Sequence, residues 1–144
     1  MPDASPHRAI ALMRESSRLY TQLFSKRFQQ LQLTSEEART LAYLSASDAM
    51  AQRRLADLMH VQPIALTRLV DRLEAGGWVE RRPSPSDRRA KEVFLTSKGR
   101  TAARKIRSVN DGLAADLAGQ LNEAELKTLL RGLGVIRQSL EDMR

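Results

Sequence analysis

A change of hydrophobic period at Gly76-Gly77 constrains this chain more than any other feature. Before it, Leu66, Leu69, Val70 and Leu73 recur at helical spacing behind Pro63, whose missing N–H costs nothing in a first helical turn. After it, Val79 and then Val93, Phe94 and Leu95 bring β-formers to residues 78–82 and 90–95. Between these two stretches lies Pro83-Ser84-Pro85-Ser86-Asp87-Arg88-Arg89, a run of turn residues ending in a pair of arginines. The pattern predicts a helix, a tight stop with one of the two glycines in the left-handed conformation, and a hairpin with a basic tip.

Upstream, residues 52–59 read as a short helix with Leu55, Ala56 and Met59 facing inward, and His60-Val61-Gln62 is the turn before Pro63. Two short helices joined by such a turn, the second polar and basic on its outer face, are the pattern of a helix-turn-helix, and a hairpin directly after it is a wing. Further upstream, Thr34-Ser35-Glu36-Glu37 is a capping box that opens a helix burying Ala38, Leu41 and Leu44, and Ser45-Ala46-Ser47-Asp48 is a break. Residues 9–33 carry two apolar stripes, Met13, Tyr20, Phe24, Leu31 and beside them Ala9, Leu12, Leu19, Leu23. Stripes this wide suit a helix buried on two sides, one against the chain's own core and the other against a second subunit.

Thr96 caps a helix running to about Leu117 through Ala102, Ala103, Ile106 and Val109, with Asp111-Gly112 a candidate kink. Asn122-Glu123-Ala124-Glu125 starts a last helix, whose stripe of Leu126, Leu129, Leu130, Leu133, Ile136 and Leu140 suits a dimer or domain core. The fold class expected is mainly α, a winged helix-turn-helix with a small β-hairpin wing.

Charge follows the same map. The 144 residues carry a formal +7; fourteen Lys/Arg against six acids between Arg53 and Arg107 make that stretch +8 and leave −1 for the remainder. The excess is concentrated on one surface, and nucleic acid, an anionic membrane surface or an acidic protein are the partners that fit it. The chain has no cysteine, which excludes disulfides, thiolate catalysis, thiol redox sensing and Cys-type zinc sites. His7 and His60 are isolated and cannot build a metal cage. With no nucleophile–base constellation, Gly-rich phosphate loop or metal spacing, an enzyme is the poorest reading, and no cofactor or metal is expected. The first six residues hold Pro, Asp and Ser where a signal peptide has a basic start. The longest apolar run, from Ala9 to Met13, is five residues, against about 20 for a membrane span. A cytoplasmic, soluble protein with no membrane partner is expected.

Residues 66–100, LTRLVDRLEAGGWVERRPSPSDRRAKEVFLTSKGR, resemble the signature region of the MarR family of transcriptional regulators, including its SlyA-like branch. Residues 67–74 match the recognition helix, Asp87-Arg88-Arg89 the wing tip, and Leu95-Thr96-Ser97-Lys98-Gly99 the start of the dimer helix. The resemblance implies a homodimer whose N- and C-terminal helices, residues 1–33 and 97–144, interlock as an all-α dimerisation region. It implies that the winged domain, residues 34–96, reads a pseudopalindromic operator in double-stranded DNA, as a repressor does. It also implies, for many members, a small phenolic or other anionic effector that weakens DNA binding, entering between the first helix, the second helix and the recognition helix. Ala38 stands where some relatives have an aromatic lining that cavity, and the absence of cysteine excludes the peroxide-sensing mechanism of one branch. The alternative is a winged module that docks on an acidic protein without reading DNA sequence.

Under this resemblance the site residues take distinct roles. Gln62, Ile64, Ala65 and Arg68 are the exposed N-terminal positions of the recognition helix that enter the major groove, where all four base pairs are distinguishable. The fork of Arg68 matches guanine O6 and N7, with a phosphate as its alternative partner. Thr67 is expected to donate to a phosphate, and Arg72 to meet a phosphate or an intramolecular partner. Arg89 matches the family position that enters the minor groove, Arg88 lies beside it on phosphate, and Asp87 holds the loop by pairing with a nearby arginine. Trp78 is expected to pack the wing onto the recognition helix, His60 to be exposed or hydrogen-bonded, and Arg53 and Arg54 to lie within reach of phosphate.

Overall fold

The computed structural model describes residues 5–47 and 49–143; residues 1–4, on which most of the signal-peptide argument rests, Asp48 of the expected break, and Arg144 lie outside the described residues. The elements are α1 (Pro6–Phe28), one 3₁₀ turn (Gln29–Leu31), α2 (Ser35–Leu44), β1 (Ala49–Ala51), α3 (Gln52–Met59), α4 (Pro63–Ala75), β2 (Val79–Pro83), β3 (Lys91–Leu95), α5 (Ser97–Ala118) and α6 (Glu123–Asp142). The chain forms two compact units, Met1–Arg107 and Ser108–Arg144, so the boundary falls inside α5.

Local chemistry sets most element ends. The Ser5 hydroxyl accepts the Arg8 N–H ahead of Pro6, and α1 closes with Lys26 and Arg27 in its last turn, where cations suit the helix dipole. The apolar stripe continues to Leu33, but the α-helix stops at Phe28. Past that point the backbone tightens to 3₁₀, and Gln32 turns left-handed at φ 55° with its N–H on the Gln29 carbonyl. α2 opens on the expected reciprocal box: Glu37 N–H donates to Thr34 Oγ1 at 3.2 Å and Thr34 N–H to Glu37 Oε2 at 2.9 Å. His60 ends α3 in the left-handed conformation at φ 55°. At the end of α4, Gly76 stays right-handed and Gly77 takes φ +75°. Gly77 N–H then bonds the Glu74 carbonyl and Trp78 N–H the Leu73 carbonyl, the two bonds of a Schellman cap. α5 is helical through Asp111-Gly112, so the candidate kink does not break it.

The sheet has three antiparallel strands in the order β1-β3-β2. β2 and β3 form the expected hairpin, from Val79 opposite Leu95 to Pro83 opposite Lys91. β1 was absent from the sequence expectation. Its Ala49-Met50-Ala51 has no β-former to announce it and becomes a strand by laying Met50 opposite Val93. Val93 and Leu95 are buried while Phe94 between them is only partly so, the period of two that puts one face of the hairpin on the core. Leu41, Leu55, Leu66, Leu73, Val93 and Ile106 are all fully buried and come from α2, α3, α4, β3 and α5, which fixes the recognition helix and the wing to one core in the first unit. Burial of each large aliphatic side chain contributes roughly 1.5–3 kcal/mol.

Candidate nucleic-acid interface

The outer face of α4 follows from what its inner face buries. With Leu66, Leu69, Val70 and Leu73 inward, helical spacing turns Ile64, Ala65 and Arg68 to solvent, and Gln62 at the N-cap is exposed with them. Ile64 is 67% exposed, high for a large apolar side chain. The Arg68 side chain is exposed and makes no hydrogen bond or ion pair among the described residues. Thr67 is placed differently from a phosphate donor: its hydroxyl donates to the Pro63 carbonyl at 3.0 Å and accepts from Gln52 Nε2 at 2.9 Å. That chain ties the start of α3 to the first turns of α4, so Thr67 sits at the seam of the helix pair, and reaching a phosphate would require giving up the Pro63 bond. Arg72 meets the intramolecular alternative: its Nε donates to Glu37 Oε1 of α2 at 3.1 Å, with 55% of its side-chain surface still exposed. Arg53 and Arg54 are exposed at the start of α3.

The basic residues of the wing divide into two groups. At its base, Arg81 pairs with Asp71 of α4, and its Nε forms an ion pair with Glu74 Oε2 at 3.4 Å, while Arg81 N–H donates to Glu74 Oε1 at 2.9 Å. These contacts fasten β2 to the recognition helix. Sequence reasoning passed over them, although Asp71 and Glu74, three apart on α4, share one face and could have marked an acidic landing for a nearby arginine. Arg82 pairs with Glu80 and lies over the Phe94 ring at 4.5 Å from its centroid. At the tip, Arg88 and Arg89 are exposed and have no carboxylate partner among the described residues.

Asp87 holds the tip, though not by pairing with an arginine side chain. Its Oδ1 accepts the backbone N–H of Arg89 at 2.9 Å, and its carbonyl accepts that of Ala90 at 3.0 Å. A short acceptor two residues before an amide closes its own turn, so the carboxylate is used locally and forms no ion pair with either arginine side chain among the described residues. Ser84 completes the closure, its N–H on the Ala90 carbonyl and its hydroxyl hydrogen-bonded to Glu92 Oε1 at 3.3 Å. The Trp78 ring lies against Gly76 at the end of α4, so close that a Cβ on that glycine would clash with it. The same ring carries the Lys98 ammonium at 3.9 Å from the centroid, and the Trp78 carbonyl accepts the Thr96 N–H at 3.1 Å, so Trp78 joins the end of α4 to the start of α5. His60, exposed at the turn, is part of the helix-turn-helix corner.

A family model, that of the MarR family, matches residues 33–91. The multiple antibiotic resistance protein MarR of Escherichia coli (strain K12) is 32% identical over 100 residues, which cover 69% of this chain and 69% of that protein. The chain belongs to the MarR family. The matched segment takes in α2 through the first residue of β3, so the match covers the helix-turn-helix and the first strand and tip of the wing. Among solved structures, the MepR–DNA complex of S. aureus matches with a TM-score of 0.85 at 26% identity, covering 90% of this chain and 96% of that one. A mutant of MarR from E. coli complexed with operator DNA matches with a TM-score of 0.79 at 28% identity, covering 88% and 91%. The MarR family is one of transcriptional regulators, and no helix among the described residues of this member is long and apolar enough to cross a membrane.

Proposed function

We propose that this MarR-family chain is a homodimeric, cytoplasmic repressor, without enzymatic activity, that binds a pseudopalindromic operator in double-stranded DNA. α4 lies in the major groove and the wing in the minor groove. The observation that carries this reading is the selective charge compensation: Arg72, Arg81 and Arg82 are paired to acids within the fold, whereas Arg68 on the recognition helix and Arg88 and Arg89 at the wing tip are not. Cations held exposed and unpaired on the two elements that reach DNA are what phosphate and base contacts require. The DNA complexes of MepR and of mutant MarR, at 26% and 28% identity, support it. Arg68 is the base reader, Gln62, Ile64 and Ala65 line the groove beside it, Arg89 enters the minor groove, and Arg88 meets phosphate.

Residues 1–33 and 97–144 form the dimerisation region in this reading. α6 buries none of its residues, leaving Leu130 and Val135 62% and 63% exposed, and α1 leaves Leu12, Leu19 and Leu23 exposed along its length. Apolar faces of this extent on a soluble chain need a cover, and a second copy supplies one. A small anionic effector of the kind the family resemblance implies would act by linkage: a ligand that favours a dimer spacing unfit for the operator must itself lose affinity when DNA is bound.

Selection of bound fragments from random duplex DNA tests the proposal. A two-fold symmetric consensus bound with steep salt dependence is the expected result. Weak, sequence-blind binding would overturn it and leave the winged module as a docking domain for an acidic protein.

A further inference from the structure

Away from the recognition helix and the wing, α5 carries a second uncompensated basic feature in the first unit. Arg100, Arg104 and Arg107 recur at intervals of four and three residues, which stacks their side chains on one helix face. Like charges in that register repel one another, and none of these guanidiniums meets a carboxylate among the described residues. Among the described residues, their one side-chain hydrogen bond runs from Arg104 Nη2 to the Thr101 hydroxyl, at 3.1 Å. The stripe borders a pocket of about 210 Å³ whose lining also holds Ser45 and Ser47, from the segment after α2, and the buried Leu95. Both serine protons are already committed, Ser45 Oγ donating to the Ala42 carbonyl at 2.7 Å and Ser47 Oγ to the Ala49 carbonyl at 3.1 Å. Their oxygens are left as acceptors. Among the described residues, the pocket therefore offers cationic donors from one element and neutral acceptors from another, and no aromatic ring lines it.

We propose that this pocket binds a small phosphate monoester with a free hydroxyl, the phosphate on the arginine stripe and the hydroxyl donating to the serine oxygens. A tetrahedral dianion presents three oxygens in three directions and carries two charges, so it can engage several guanidinium forks at once, whereas a carboxylate has two coplanar oxygens and a single charge. The lack of an aromatic ring removes the stacking surface that a planar phenolic compound would use. A DNA backbone carries the same phosphate group, so the experiment must separate the two sources. The proposal is independent of operator recognition, because neither Arg68 nor Arg89 takes part in it.

The test is calorimetric titration of the full-length chain with glycerol 3-phosphate, inorganic phosphate and acetate, at constant ionic strength set with chloride. Saturable binding of one glycerol 3-phosphate per chain is expected, tighter than inorganic phosphate, with acetate inert. The R100A/R104A variant should lose at least about tenfold in affinity for both phosphate probes. Ser47→Ala should erase the preference for glycerol 3-phosphate over inorganic phosphate and leave phosphate affinity itself unchanged, a split that a merely structural role would not produce. Melting curves by circular dichroism check that the variants fold, and Arg104→Gln replaces the double variant if it does not. Absent saturation, equal binding of acetate, or full affinity in the arginine variants would overturn the site. So would a loss of about tenfold in operator affinity by R100A/R104A in phosphate-free buffer with a shallower salt dependence, because the stripe would then hold DNA backbone.

Discussion

Arg72 of the recognition helix donates through Nε to Glu37 Oε1 of α2 at 3.1 Å, and the other oxygen of the same carboxylate accepts the Thr34 backbone N–H at 2.9 Å. One side chain thus closes the capping box of α2 and holds the flank of α4. Glu37 is itself buried, so its lone pairs need both donors.

Replacing that carboxylate has a calculable effect. Glu37→Ala should lower stability by about 1–2 kcal/mol, mostly through loss of the capping box, because Arg72 is more than half exposed and a solvated ion pair contributes at most about 1 kcal/mol. Urea denaturation of Glu37→Ala, Arg72→Ala and the double variant measures the division. A coupling energy between the two above about 2 kcal/mol would contradict this account.

Arg89→Ala should weaken operator binding about tenfold, flatten the dependence of log affinity on log salt by about one ion, and leave the melting temperature unchanged. The melting temperature should hold because the wing tip is closed by Asp87 and Ser84 through the backbone amides and the Arg89 side chain takes no part in that closure. Fluorescence anisotropy across a salt series reads both quantities, and an unaltered slope would place Arg89 away from DNA.

Arg68→Ala should differ in kind. If Arg68 reads a base edge, its loss costs about 1–3 kcal/mol at the operator and relaxes the preference at one position of each half-site. Repeating the fragment selection with the variant tests this. A uniform loss across all sequences would reassign Arg68 to phosphate.

Two glycines separate backbone conformation from steric room. Gly77 has nothing within 4 Å of where a Cβ would lie, but its φ is +75°, so Gly77→Ala should cost about 1–2 kcal/mol. Gly99 is in a right-handed helix, yet an added Cβ would collide with the Trp78 carbonyl oxygen, which already accepts the Thr96 N–H at 3.1 Å. A backbone atom held at both ends cannot step aside, and Gly99→Ala should cost more than Gly77→Ala, about 2–3 kcal/mol. Thermal melts of the two variants side by side check the order, and the reverse order would mean that the α4–α5 junction yields more readily than its hydrogen bonds suggest.

Much of the fold was legible because it is encoded locally. Thr34 with Glu37 and Asn122 with Glu125 announce helix starts three residues in advance, and both boxes form. Pro63 and the glycine pair bracket α4, and of the two glycines only Gly77 takes the left-handed conformation, because it follows the cap residue. The exposed positions of α4 were readable from its buried ones through helical spacing alone. β1 was not legible, since two alanines and a methionine become a strand only when β3 is there to pair with them. Nor was the end of α1, where the apolar stripe outlasts the helix.

The sequence by itself determined the order of helices, the wing and the concentration of positive charge between Arg53 and Arg107. These depend on caps, turn residues and periodicities that span a few residues each. Only the tertiary structure decided which of those charges are available to a partner. Arg72 finds Glu37 across 35 residues, Arg81 finds Asp71 across ten, and the guanidiniums of Arg68, Arg88 and Arg89 find no acid among the described residues. Charge compensation depends on distance in space, so a count of arginines along the chain cannot distinguish a fastened side chain from one held out to DNA.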